Sequence, residues 1–148
     1  MKIAVGGDER NAVTDFVLDE LRRRGHEVVK ALGPISGGRE QWADVAVGVA
    51  EAVAHDEAEQ GVLFCWTGTG VSIAANKVPG VRAALCTDAE QARGARKWND
   101  ANVLALSLRL TSEALAEEIL EAWFSSGMDP SEADNIEKVK ELDRPGAR

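Results

Sequence analysis

GVLFCWTGTGVSIAANK, residues 61–77, carries both the fold and the chemical question. Its first five residues form an apolar run of strand length, bounded by glycine. After Cys65 the chain turns through Gly68 and Gly70, and the residues from 70 to 77 read as a short helix. A buried strand passing straight into a glycine turn and a helix is the unit from which parallel sheets are built.

The same alternation extends in both directions. KIAVG (2–6) reads as a first strand, HEVVKAL (26–32) as a second, and VRAALC (81–86) and NVLALS (102–107) as two more. Between them, apolar residues recur at helical spacing over 12–24, 41–55, 88–97 and 112–125, with a weaker final helix over 131–142. Five short apolar strands separated by helices imply one parallel sheet covered on both faces. The strand order does not follow from the pattern.

The chain has 148 residues, enough for one domain with its own core. Hydrophobic residues make up 45 % and charged residues 28 %, with a formal net charge of −8. That acidity argues against nucleic acid and against an anionic membrane surface as partners. No apolar run approaches the roughly 18 residues that span a bilayer. MKIAVGGDE is too short for a signal peptide, so a cytoplasmic location is expected. Cys65 and Cys86 match no zinc spacing, and a reducing compartment argues against a disulfide between them. His26 and His55 are expected at the surface, away from any ligand set.

In parallel sheets, ligands gather beyond the carboxyl ends of the strands. That rule selects Asp8, Glu9 and Arg10, the turn from Cys65 to Gly70, the pair Thr87 and Asp88, and the segment around Ser107 and Arg109. Cys65 then admits two readings. It is a packed core thiol, as free cysteines commonly are. Or it is a reactive group, with the amides of the glycine turn converging on an anion that is a thiolate or a developing oxyanion. Asp88 reads equally as a rim residue or a helix cap. Cys86 and Trp123 read as core, and the acidic run 113–121 as a solvated helix face.

The stretch CWTGTGVSIAANKVPGVRAALCTD, followed by NDANVLAL and Arg109, resembles the ribose-5-phosphate isomerase B and galactose-6-phosphate isomerase family. That family's usual pattern is CGTGxGxSIAANKxxGxRAA with a downstream HNDANVLALGxR. The resemblance implies a Rossmann-like three-layer α/β/α sandwich. It implies a homodimer or homotetramer with active sites at subunit interfaces, and a C-terminal helix packing on a partner subunit. It also implies an aldose–ketose isomerase acting on a small carbohydrate through a cis-enediol, with no metal and no cofactor. Cys65 matches the base. Thr67 and the loop Gly68, Thr69 and Gly70 match the oxyanion site. Asp8 and Asn99 match hydroxyl ligands, and Arg109 matches a phosphate-side arginine.

The departures bear on the substrate. Glu9 stands where the family has a phosphate-side histidine, and Trp98 where it has the histidine that opens the sugar ring. Trp42 replaces a tyrosine and Trp66 a glycine. Near the C-terminus, Asp134, Asn135 and Lys138 replace a basic clamp. Arg10 and Arg109 are expected to offset Glu9, and the three tryptophans to line the pocket or pack at an interface. The expected substrate is a short or open-chain sugar or sugar phosphate other than ribose 5-phosphate. A non-catalytic small-ligand binder and an isomerase or epimerase of an unphosphorylated sugar derivative stand as alternatives.

Overall fold

The computed structural model describes residues 1–146. Five strands and six α-helices alternate along the chain: β1 (Lys2–Gly7), α1 (Ala12–Arg23), β2 (Glu27–Leu32), α2 (Trp42–Ala54), β3 (Gln60–Cys65), α3 (Thr69–Ala75), β4 (Ala83–Leu85), α4 (Ala89–Asn99), β5 (Val103–Ser107), α5 (Glu113–Phe124) and α6 (Ala133–Glu141). The expected elements are all present. β4 is shorter than the apolar run suggested, one turn of 3₁₀ helix, Pro34–Ser36, sits where no element was expected, and another, Pro130–Glu132, takes up the start of the expected final helix.

All strand pairs are parallel, in the order β2-β1-β3-β5-β4. β3 lies at the centre, and each of its six residues is buried. Right-handed crossovers fix the layers. The steps β1 to β2 and β4 to β5 run one way across the sheet, whereas β2 to β3 and β3 to β4 run the other. Helices α1 and α4 therefore cover one face, joined by α5, while α2 and α3 cover the other. The pleat of β3 divides the core accordingly. Val62 and Phe64 pack with Leu104, Leu106, Ile119 and Trp123, whereas Leu63 and Cys65 pack with Val45, Val49, Val71 and Ala75. The result is a Rossmann-like three-layer α/β/α sandwich.

Local signals start the helices. Asn11 and Thr14 form a reciprocal capping box on α1. Asp88 caps α4 by accepting from the Gln91 amide at 2.7 Å, and Ser112 caps α5. Trp123 is 1 % exposed, and its indole N–H donates to Gln60 Oε1 at 2.8 Å. His55 is exposed, as expected of a surface histidine, and His26 is half-buried. Its ring stacks 4.3 Å from Phe124, and its Nδ1 lies 3.2 Å from the Met1 amine. Among the described residues, no helix is long and apolar enough to cross a membrane, and no cluster of three or more His, Cys, Asp or Glu is arranged to hold a metal.

Candidate active site

The carboxyl ends of β1, β3 and β5 lie side by side, and the chain reverses direction across the sheet at this point. Gly7 pairs with Phe64 and Cys65 with Ser107. Asp8, Cys65 and Ser107 thus stand in a row along the rim, about 5 Å from strand to strand. Cys65 is 5 % exposed, packed on its α2–α3 side yet the last residue of its strand.

The turn after Cys65 is clamped to the turn after β5. The Cys65 carbonyl accepts from the Leu108 amide at 3.0 Å, and the Trp66 carbonyl from the Arg109 amide at 2.9 Å. Ser107 Oγ, itself buried, donates to the same Trp66 carbonyl at 3.0 Å and accepts from the Leu110 amide at 3.3 Å. Gly68 closes the turn with a φ of 76°, and a Cβ there would lie 2.5 Å from Leu85 Cδ1 and 3.0 Å from the Leu106 backbone. Only glycine fits that space and conformation. Thr67 is exposed, with its Oγ1 2.8 Å from Thr69 Oγ1. The first turn of α3 leaves its amides without acceptors inside the helix.

Around this turn stand the other rim residues. The Trp42 indole, at the first residue of α2, lies against the α3 backbone, 3.0 Å from where a Cβ on Gly70 would sit. Trp66 projects from the rim, 54 % exposed. One carboxylate oxygen of Asp8 is buried without a hydrogen-bond partner among the described residues. Burial pushes the Asp8 carboxyl above its ordinary value; its own backbone amide works the other way, and the Glu9 charge adds to the rise. Glu9 and Arg109 are exposed, and neither has an ion-pair partner among the described residues. Arg10 does not offset Glu9 as expected. Its guanidinium is held by both carboxylate oxygens of Asp15, at 2.9 and 3.3 Å.

Trp98 and Asn99 are not in this group. They end α4, which runs antiparallel to the strands and delivers the chain to the start of β5. They therefore sit beyond the amino edge of the sheet, separated from the Cys65 rim by at least the length of β5, about 13 Å from Val103 to Ser107. Trp98 is 54 % exposed and folds back over Gly94 on its own helix. Asp100 then caps α4 in the left-handed region, φ 46°, with its carboxylate shared between Arg82 at 3.4 Å and Arg96 at 3.3 Å. Helix α6 leans on this end of α4, buries Ile136 and roofs a cavity of about 530 Å³. Asn135, at the position of the replaced basic clamp, lines that cavity, while Asp134 and Lys138 on the same helix are exposed.

The sequence reading missed the Ser107 latch and the Asp100 clamp. Ser107 was visible only as a rim position. The signal at Asp100 was weak: aspartate is one of the few non-glycine residues that tolerates the left-handed region.

Residues 3–142 match a family model described as ribose/galactose isomerase. A D-erythrulose-4-phosphate isomerase of Pectobacterium atrosepticum is 36 % identical over 145 residues, covering 94 % of this chain and 93 % of the relative. Ribose-5-phosphate isomerase B of Escherichia coli is 40 % identical over 126 residues, 84 % of each chain. The solved structure of Clostridium thermocellum ribose-5-phosphate isomerase B superimposes with a TM-score of 0.87 at 39 % identity, covering 97 % of each chain.

Proposed function

The chain belongs to the ribose/galactose isomerase family, and on that premise we propose that it interconverts the aldose and ketose forms of a short, open-chain sugar phosphate in a site shared between two copies. The observation that carries this reading is the rim itself. Cys65 ends its strand beside Asp8 and leads into a turn that exposes the hydroxyl-bearing Thr67 and Thr69, with exposed Arg109 on the neighbouring turn.

The chemistry follows from these groups. The Cys65 thiolate takes the proton from the carbon next to the carbonyl, and the electron pair moves into a cis-enediolate. Thr67 Oγ1, oriented by Thr69, and the amides from Gly68 to Gly70 hold the charged oxygen. The hydroxyl proton passes from one oxygen of the cis-enediolate to the other, the former carbonyl oxygen, and Cys65 then returns its proton to the former carbonyl carbon, leaving the new carbonyl on its neighbour. Asp8 binds a substrate hydroxyl, Arg109 receives the anionic end, and Trp42 with Trp66 flanks the opening. The step calls on no metal and no cofactor.

Trp98 and Asn99 join this site only if a second copy presents its amino edge to the Cys65 rim. The exposed apolar side chains suit such a partner. Trp42, Trp66 and Leu110 lie at one end of the sheet, Trp98, Val139 and Leu142 at the other. A two-fold axis between side-by-side sheets would form both contacts at once. On this reading the chain is one domain whose C-terminal helix serves the partner as well as its own α4.

The substrate class rests on two supports. An indole at Trp98 offers no acid of the kind that ring opening requires. A tetrose 4-phosphate needs none, because its O4 is esterified and a furanose cannot close. The D-erythrulose-4-phosphate isomerase relative acts on a sugar of that size. A sugar phosphate and two unpaired cysteines also fit a reducing, cytoplasmic setting. One observation favours a second reading, an unphosphorylated sugar derivative. Glu9 is exposed at the rim, while Arg10 is occupied by Asp15.

Turnover of D-erythrulose 4-phosphate, ribose 5-phosphate and unphosphorylated erythrulose, followed by NMR in D₂O, tests the proposal. The expected result is isomerisation with deuterium entering beside the carbonyl for the tetrose phosphate. Preference for ribose 5-phosphate, or for the unphosphorylated sugar, would overturn the substrate assignment.

A further inference from the structure

We infer that Trp66 of one copy seats in the cavity beneath α6 of the second copy and is the anchor that holds the shared site together. The inference rests on the reading of a site shared by two copies, and it assigns to Trp66 a partner rather than a sugar as its principal contact.

Trp66 is a large apolar ring left 54 % exposed on a rigid mount. Its carbonyl is fixed by Ser107 Oγ and by the Arg109 amide, and Gly68 is pressed against the backbone of Leu106 and Ser107 two residues later. The residue therefore cannot withdraw without breaking the turn that carries Cys65 and Thr67. With the backbone of Trp66 already fixed, docking has only the side chain left to order, and tryptophan is among the residues most common at interface hot spots.

The cavity has matching chemistry. Val81, Ala84, Ala101, Ile136 and Trp98 supply an apolar lining, and Glu132 and Asn135 offer oxygen acceptors for an indole N–H. Placement joins the two features. Trp98 and Asn99 line this cavity and are the residues that must reach the Cys65 rim, while Trp66 is the next residue after Cys65. Any packing that completes the site carries Trp66 to the mouth of the cavity, and two-fold symmetry repeats the contact.

Sedimentation velocity over a dilution series, on wild type, Trp66→Ala, Val139→Arg and the double variant, tests the anchor. Val139 lines the cavity and is half exposed, so an arginine there disturbs the cavity rather than the core. Circular dichroism checks that each variant folds. Each single variant is expected to raise the dimer dissociation constant by at least about 30-fold, the size of an aromatic hot spot. The double variant is expected to be little worse than either single one, because both remove one contact. A dimer unaffected by Trp66→Ala, or additive losses in the double variant, would overturn the anchor. Recovery of activity on mixing Cys65→Ala chains with Asn99→Ala chains reports the shared site independently. Recovery together with an unaffected Trp66→Ala dimer would remove the anchor and leave the shared site standing. No recovery, in an enzyme that stays active as a monomer, would remove both.

Discussion

At Cys65 packing and the proposed chemistry meet in one side chain: the residue closes the β3 side of the core against Val71 and Ala75, and its strand ends at a rim flanked by Asp8 and Ser107. Cys65→Ala is expected to keep the fold and lose about 10²- to 10⁴-fold in kcat, the range for removing a positioned base, measured with the preferred sugar at saturation. Asp8 yields a prediction about stability. Its carboxyl is raised by burial, so the folded state holds the proton more tightly than the unfolded chain. That contribution is fully present below the ordinary value of 3.8 and is lost as pH rises through the raised value. Asp8→Asn should therefore melt higher than wild type at neutral pH and equally well in acid below that range, while kcat/KM falls. A lower Tm at neutral pH would show the carboxylate to be stabilising. The rim positions of Cys65, Thr67 and Asp8 were legible because strand ends on one edge of a parallel sheet are predictable. The loss of Arg10 to Asp15 was not, since it depends on which rotamer the first turn of α1 makes available.

Among the elements, the β3–α3 turn carries the proposed site, and its geometry hangs on Gly68. Gly68→Ala is expected to destabilise by more than about 2 kcal/mol in urea unfolding, since the left-handed conformation and the collision with Leu85 and Leu106 act together. Ser107→Ala should cost about 1 kcal/mol, because the Trp66 carbonyl keeps its Arg109 partner while the Leu110 amide loses its own. Strands and helices were legible from periodicity, and for α4 Asp88 was also readable as a cap. The place of Trp98 and Asn99 was obscured by the motif resemblance, which gathers residues by shared role rather than by position in one chain. The physical rule was nonetheless available: a helix between parallel strands runs against them, so the last turn of α4 must lie at the edge opposite Cys65.

For the whole molecule, the order β2-β1-β3-β5-β4 was beyond the sequence pattern, because the step from β3 to β4 leaves a gap that only the later β5 fills. That arrangement puts β1, β3 and β5 together and makes the rim. It also separates the rim from the α4–α6 end, so that under the shared-site proposal neither end is complete alone. Activity per chain should accordingly fall on dilution in parallel with dissociation of the dimer. The most direct measurement mixes inactive Cys65→Ala chains with inactive Asn99→Ala chains, allows subunits to exchange, and reads isomerase turnover. A shared site predicts recovery of about a quarter of wild-type activity, because half of the dimers are mixed and each mixed dimer holds one intact site. Turnover no greater than the sum of the two separate variants would contradict the account and place Asn99 outside the site that Cys65 serves.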